Sequence, residues 1–126
     1  MIQSDIYNQL HGNAGVAALV SDRIFYGLDT GTVKPSIIIE TARQMDGALN
    51  KSDLQKYTAV ITCVANDFAT AQSVGQAVYA AMNRTSFGSV KSCLLSEANE
   101  TAISDSGDAD RIYYIQNLNF SILSGE

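Results

Sequence analysis

Residues 57–84 constrain the fold more than any other stretch of this chain. Tyr57-Thr58-Ala59-Val60-Ile61-Thr62-Cys63-Val64-Ala65 is apolar or β-branched throughout, which predicts an interior strand covered on both faces. Asn66-Asp67 then turns the chain into a helix running from Phe68 to about Arg84. Phe68, Ala71, Val74, Gly75, Val78, Ala81 and Met82 recur with the 3.6-residue period, while Gln72, Ser73, Gln76, Asn83 and Arg84 lie opposite. The apolar stripe is expected to pack on the sheet. Asp67 is expected to cap the helix, its carboxylate accepting from free N–H groups of the first turn. Ala59, Ile61 and Cys63 should meet that helix. Val60 and Val64 then point away and need another cover.

The remainder predicts a small α+β chain. Ile2, Ile6 and Leu10 sit four apart, giving an amphipathic helix that His11-Gly12 ends, and Asn13 can cap a second segment, Ala14–Val20. The two form a helical arm. Arg23–Tyr26 reads as a short strand, Gly27–Lys34 as a loop, and Pro35 as the opening of a strand through Arg43. Gln44–Lys56 reads as a long loop and so as a partner-contacting element. Val90–Glu97 is a half-alternating strand, Ala98–Asp110 a polar, acidic, solvated loop, and Arg111–Leu123 a closing strand. Ile112, Tyr114, Leu118, Phe120 and Ile122 fall on one of its faces, and Arg111, Asn117, Asn119 and Ser121 on the other. Tyr113 and Ile115 interrupt that polar face and are candidates to seal a subunit contact. The expected fold is α+β in a single domain over 1–126: a mostly antiparallel sheet of about five strands, one long helix on one face, and the N-terminal helical arm.

Chemistry is sparse. His11 is the lone histidine, expected at a helix end as an exposed or capping group rather than a proton carrier. Cys63 and Cys93 both fall in expected strands, so they read as buried, reduced thiols. Two distant cysteines and one histidine do not make a zinc site. Gly27–Lys34 lacks the spacing of a phosphate loop, and the acidic stretch 100–110 lacks the order of a calcium loop. No cofactor or metal is expected, and no enzymatic activity. A net charge of −5 without any basic run argues against affinity for DNA phosphates or anionic membranes. The N-terminus lacks the basic and apolar regions of a signal peptide, pointing to a cytosolic protein.

Four features in order resemble the tail-completion, or tail-to-head joining, proteins of long-tailed bacteriophages, a family that includes tail terminators. They are the N-terminal helix running into Ala17-Ala18-Leu19-Val20-Ser21-Asp22-Arg23-Ile24-Phe25, then Lys34-Pro35-Ser36-Ile37-Ile38-Ile39, then Ala65-Asn66-Asp67-Phe68 leading to Ala80-Ala81-Met82. The fourth is the closing strand, Asp110-Arg111-Ile112-Tyr113-Tyr114 through Leu118-Asn119-Phe120-Ser121-Ile122. The resemblance implies a virion protein, made in the bacterial host cytoplasm, that forms a ring, usually a homo-hexamer, at the head-proximal end of the tail tube. Its implied partners are further copies of itself, the tail tube protein and the head–tail connector protein, with genome DNA passing through the ring without specific binding. The chain departs from the family pattern in the 44–56 and 98–110 segments. Candidate partner-contacting residues are Arg43, Asp46, Lys51, Asp53, Asp105, Asp108 and Asp110, and candidate subunit-interface residues are Val60, Val64, Tyr113 and Ile115. The alternatives are a head-completion or neck adaptor protein, and a small-ligand-binding α+β domain with its site between helix and sheet.

Overall fold

The computed structural model describes residues 2–27, 35–43, 55–105 and 108–124. The elements are α1 (Ile2–His11), α2 (Ala14–Val20), β1 (Ile24–Tyr26), β2 (Ser36–Arg43), β3 (Gln55–Ala65), α3 (Phe68–Met82), β4 (Val90–Asp105) and β5 (Asp108–Ser124). One five-stranded sheet runs in the order β1-β2-β3-β5-β4. The β1–β2 pair is parallel and the other three pairs are antiparallel. The fold is thus α+β with five strands, as expected, although its edge pair is parallel. β3 is interior, as its continuous apolar run predicted.

Three helices share the covered face, rather than one helix with an arm beside it. The α1 stripe of Ile2, Ile6 and Leu10 is at most 2% exposed and joins one core with Val16, Val20, Ile37, Ile39, Ile61, Val74 and Phe120. Each such side chain contributes roughly 1.5–3 kcal/mol by leaving water. An isolated ten-residue helix is marginal in water, so α1 depends on this docking. Polar contacts fix its position: Gln3 Nε2 donates to Thr41 Oγ1 on β2 (3.0 Å), and Gln9 Nε2 to the Ala81 carbonyl of α3 (2.7 Å). Asn13 caps α2 by accepting from the Val16 N–H (3.1 Å).

In α3, Asp67 accepts from the Thr70 N–H (3.1 Å), and Ala71, Val74, Gly75, Val78, Ala81 and Met82 face the sheet. Gly75 permits the close approach, since a Cβ there would stand 3.1 Å from Gln116 Oε1 of β5. Two expectations fail at the ends of the helix. Phe68 is 48% exposed instead of sharing the stripe, because it precedes the first buried turn and lies edge-on against Tyr114 (6.3 Å between ring centroids). Arg84 leaves the helix altogether: its φ of +60° cannot continue an α-helix.

The largest difference concerns residues 98–110. In place of a solvated loop, β4 continues to Asp105 and β5 already begins at Asp108, with Ala98↔Leu118, Glu100↔Gln116, Ala102↔Tyr114 and Asp105↔Asp108 in register. Glu, Asn and Asp lack β propensity, but the β-branched and aromatic positions Ile112–Ile115 supply a partner strand that completes the ladder. Breaks in register at Val90/Ser92, Leu95/Glu97 and Ser104/Asp105 irregularise this edge strand, a device that discourages edge-to-edge aggregation.

Candidate assembly surface

Alternation along β3 and β5 divides the sheet into two unlike faces. Ala59, Ile61 and Cys63, with Leu118, Phe120 and Ile122 beside them, lie beneath the helices at 0–4% exposure. On the opposite side stand Ile38 and Glu40 of β2, and Thr58, Val60, Thr62 and Val64 of β3. Tyr113, Ile115, Asn117, Asn119 and Ser121 of β5 complete it. Among the described residues, no helix packs over this second face. Val64 is buried at 9% exposure, the other residues of β3 and β5 on this face are half-buried, and Leu94 and Ile103 on β4 are 49% and 50% exposed. Val64 pairs directly with Ile115 and Thr62 with Asn117, whose Oδ1 accepts from Thr62 Oγ1 at 2.9 Å. Hydroxyl and amide groups between branched apolar side chains make a surface that suits a protein partner better than bulk water.

All four residues expected at a subunit interface, Val60, Val64, Tyr113 and Ile115, fall on this open face. The expected partner-contacting residues do not gather there. Arg43 is exposed at the end of β2, while Asp46, Lys51 and Asp53 lie outside the described residues. Asp105, Asp108 and Asp110 belong to the far end of the β4–β5 hairpin rather than to a loop.

The few reactive groups are occupied or inert. His11 is exposed at the end of α1 and stacks on Tyr7, ring centroids 5.4 Å apart. Cys63 and Cys93 are free and buried, and burial alone pushes each thiol up to about 12, so neither forms a thiolate near neutral pH. Among the described residues no group of His, Cys, Asp and Glu is arranged to hold a metal ion, and no helix is long and apolar enough to cross a membrane. The layer between α3 and the sheet is filled by Ala71, Val74, Val78, Ala81 and Met82, each at most 3% exposed, where a small-ligand site would have needed room. A cleft of about 220 Å³ opens beside the start of α3, lined by Phe68, Ala71, Glu100, Ala102, Tyr114 and Gln116 among others.

A family model for tail completion protein gp17 matches residues 4–120. The chain belongs to the tail completion protein gp17 family. As a member it is a structural protein of the phage tail, a virion component that assembles with other parts of the particle, and not an enzyme. The match takes in the helical layer from Ser4 onward and all five strands except the last four residues of β5. A solved chain from the virion of a native gene transfer agent (GTA) particle shares the fold. Its TM-score is 0.71 at 20% identity, over 98% of this chain and 95% of that one. No curated protein sequence matches the chain.

Sequence reasoning missed one feature of the surface. Arg84 and Lys91 are seven positions apart, at what reads as the end of a helix and the start of a strand, and the structure places both on one pocket. The hint available was Asn83-Arg84-Thr85, where the helical stripe stops.

Proposed function

We propose that the protein forms a ring, a homo-hexamer, at the head-proximal end of the tail tube, where it stops tube growth and joins the tail to the head's connector. Membership of the tail-completion family supports the location, and the open sheet face is the observation that carries the assembly. A closed ring needs heterologous contacts, in which one patch meets a different patch on the next copy. Val60, Val64, Tyr113 and Ile115 supply one such patch. Arg43 at the end of β2, Asp46, Lys51 and Asp53 in the sequence that follows it, and Asp105, Asp108 and Asp110 on the hairpin, are the residues left to meet the tube or the connector. Genome DNA passes without being held, because a chain of net charge −5 neutralises few phosphates.

Electron microscopy of purified protein, alone and mixed with tail tubes, tests the reading. Rings and capped tubes of uniform length are expected. Protein that stays monomeric and leaves tubes unbounded overturns it, and density on the portal side of the neck assigns the adaptor role instead.

A further inference from the structure

The β4–β5 hairpin outruns the rest of the sheet. β3 pairs with β5 only as far as Ala65↔Tyr114, so among the described residues the part of β5 before Tyr114 has β4 as its one strand partner. From Ser96 to Ile103 every residue of β4 is exposed, in both phases of the strand. A two-stranded ribbon covered on neither face is marginal in water. Yet this one carries large apolar side chains on both faces. Ile103 pairs with Tyr113 on the open face and is 50% exposed, whereas Ile112 shares the helix side with Tyr114 and is 42% exposed. On that helix side lies the cleft of about 220 Å³ between the start of α3 and the ribbon. Its lining includes the small residues Ala71 and Ala102 and the exposed ring of Phe68, set edge-on to Tyr114. The cleft is smaller than the roughly 300–1,000 Å³ of a small-molecule site and leaves room for one large side chain.

We propose that this cleft receives Ile103 of the next copy of this chain, with the hairpins running along the ring axis and stacked front to back around it. Level selects that occupant. A closed ring relates its copies by rotation without a slide, and a contact between unequal levels winds into an open filament. Ile103 and Ala102 are adjacent on β4 and point to opposite faces, so knob and cleft stand at one level of the hairpin. Leu94, which pairs with Ser121, is the other strongly exposed aliphatic residue of β4 on the open face. It lies nine residues from Ile103, roughly 30 Å of strand, and seating it in the cleft would add that slide at every copy. A twofold pairing of two open faces would leave both clefts empty, so the contact is heterologous, as a ring requires. The inference rests on the ring reading and supplies the second patch that reading needs. Tyr113, beside Ile103, makes the knob continuous with the open face of Val60, Val64 and Ile115.

Ile103→Ser removes the knob and Ala102→Trp fills the cleft. Both chains are compared with the wild type by native mass spectrometry and electron microscopy, free and on tail tubes, with circular dichroism confirming that each folds. Rings are expected from the wild type, and each substitution should weaken them by at least about tenfold. A cysteine pair gives a second reading, and decides alone if either variant fails to fold. Positions 68 and 103 lie on opposite faces of the sheet, so Phe68→Cys and Ile103→Cys can bond only between copies. Under mild oxidation the chain carrying both should give a disulfide-linked ladder that ends at the ring size, and neither change alone should cross-link. A wild type without rings, free or on tubes, defeats the ring and this contact with it. Wild-type rings that persist in both substituted chains, or a cysteine pair that never cross-links in them, overturn the contact and leave the ring intact. Cross-linking of Ile103→Cys alone joins like faces and overturns it too. Rings unaffected by Ala102→Trp, with loss of binding to tail tubes, assign the cleft to the tube protein and likewise overturn it.

Discussion

The two faces of β3 are built from similar residues and put to different uses. Ala59, Ile61 and Cys63 are wholly buried beneath the helices, whereas Thr58, Val60 and Thr62, one step out of phase, are left half-covered. Side chains on a strand alternate faces, so the difference lies in what each face meets. The fold consumes one face. Among the described residues the other keeps β-branched side chains without a covering helix, interleaved with hydroxyl and amide groups that pair across strands, as Thr62 does with Asn117. Burial inside a chain and burial between chains place the same demand on sequence, so apolar content alone does not distinguish them.

Substitution separates the two faces most sharply at the core. Val78→Asp, fully buried on the α3 stripe, forces an unpaired carboxylate into the apolar layer. It should cost at least about 4 kcal/mol and leave insoluble or unfolded chain. Soluble mutant protein with a cooperative thermal transition would break the assignment of this face. Phe120→Ala, on the same side of β5, should cost about 3–5 kcal/mol, read from the denaturant midpoint. Val60→Asp should behave oppositely. We expect at most about 1 kcal/mol in the monomer, together with loss of assembly on tail tubes. A Val60→Asp protein that assembles normally would mean the open face is not the contact.

The smallest effect concerns how α1 is held to the covered side. The Asp5 carboxylate accepts from the Ser89 hydroxyl (2.5 Å) and backbone N–H (3.1 Å), and these bonds hold it below the ordinary 3.8. A carboxyl lowered in the folded state contributes stability above its unfolded value, and loses it as pH falls through the folded one. Asp5→Asn should therefore cost about 1 kcal/mol at pH 7. Its deficit against wild type should shrink below about pH 4, as chemical denaturation at the two pH values will read. A deficit independent of pH would assign the loss to packing.

The central unit was legible because local and global signals agree there. Asp67 caps, the stripe of Ala71, Val74 and Val78 packs, and β3 is flanked on both sides. The α1 stripe was equally legible, but not its place in the main core, since periodicity names a buried face and not its partner. The parallel setting of β1 was hidden because three residues, Ile24–Tyr26, take their direction from β2. The hairpin was hidden for a related reason: 98–105 is polar, and only pairing with β5 makes it a strand. Of the candidate surface, Val60, Val64, Tyr113 and Ile115 could be read by phase alone. The Arg84/Lys91 pocket could not, because a turn and a left-handed residue bring its two cations together.

The most direct test is thiol labelling of Val60→Cys, since both native cysteines are buried with thiols pushed up to about 12 and should stay silent. The account predicts that residue 60 reacts in the free protein and is protected once the protein is assembled on tail tubes. Equal labelling in both states would contradict it.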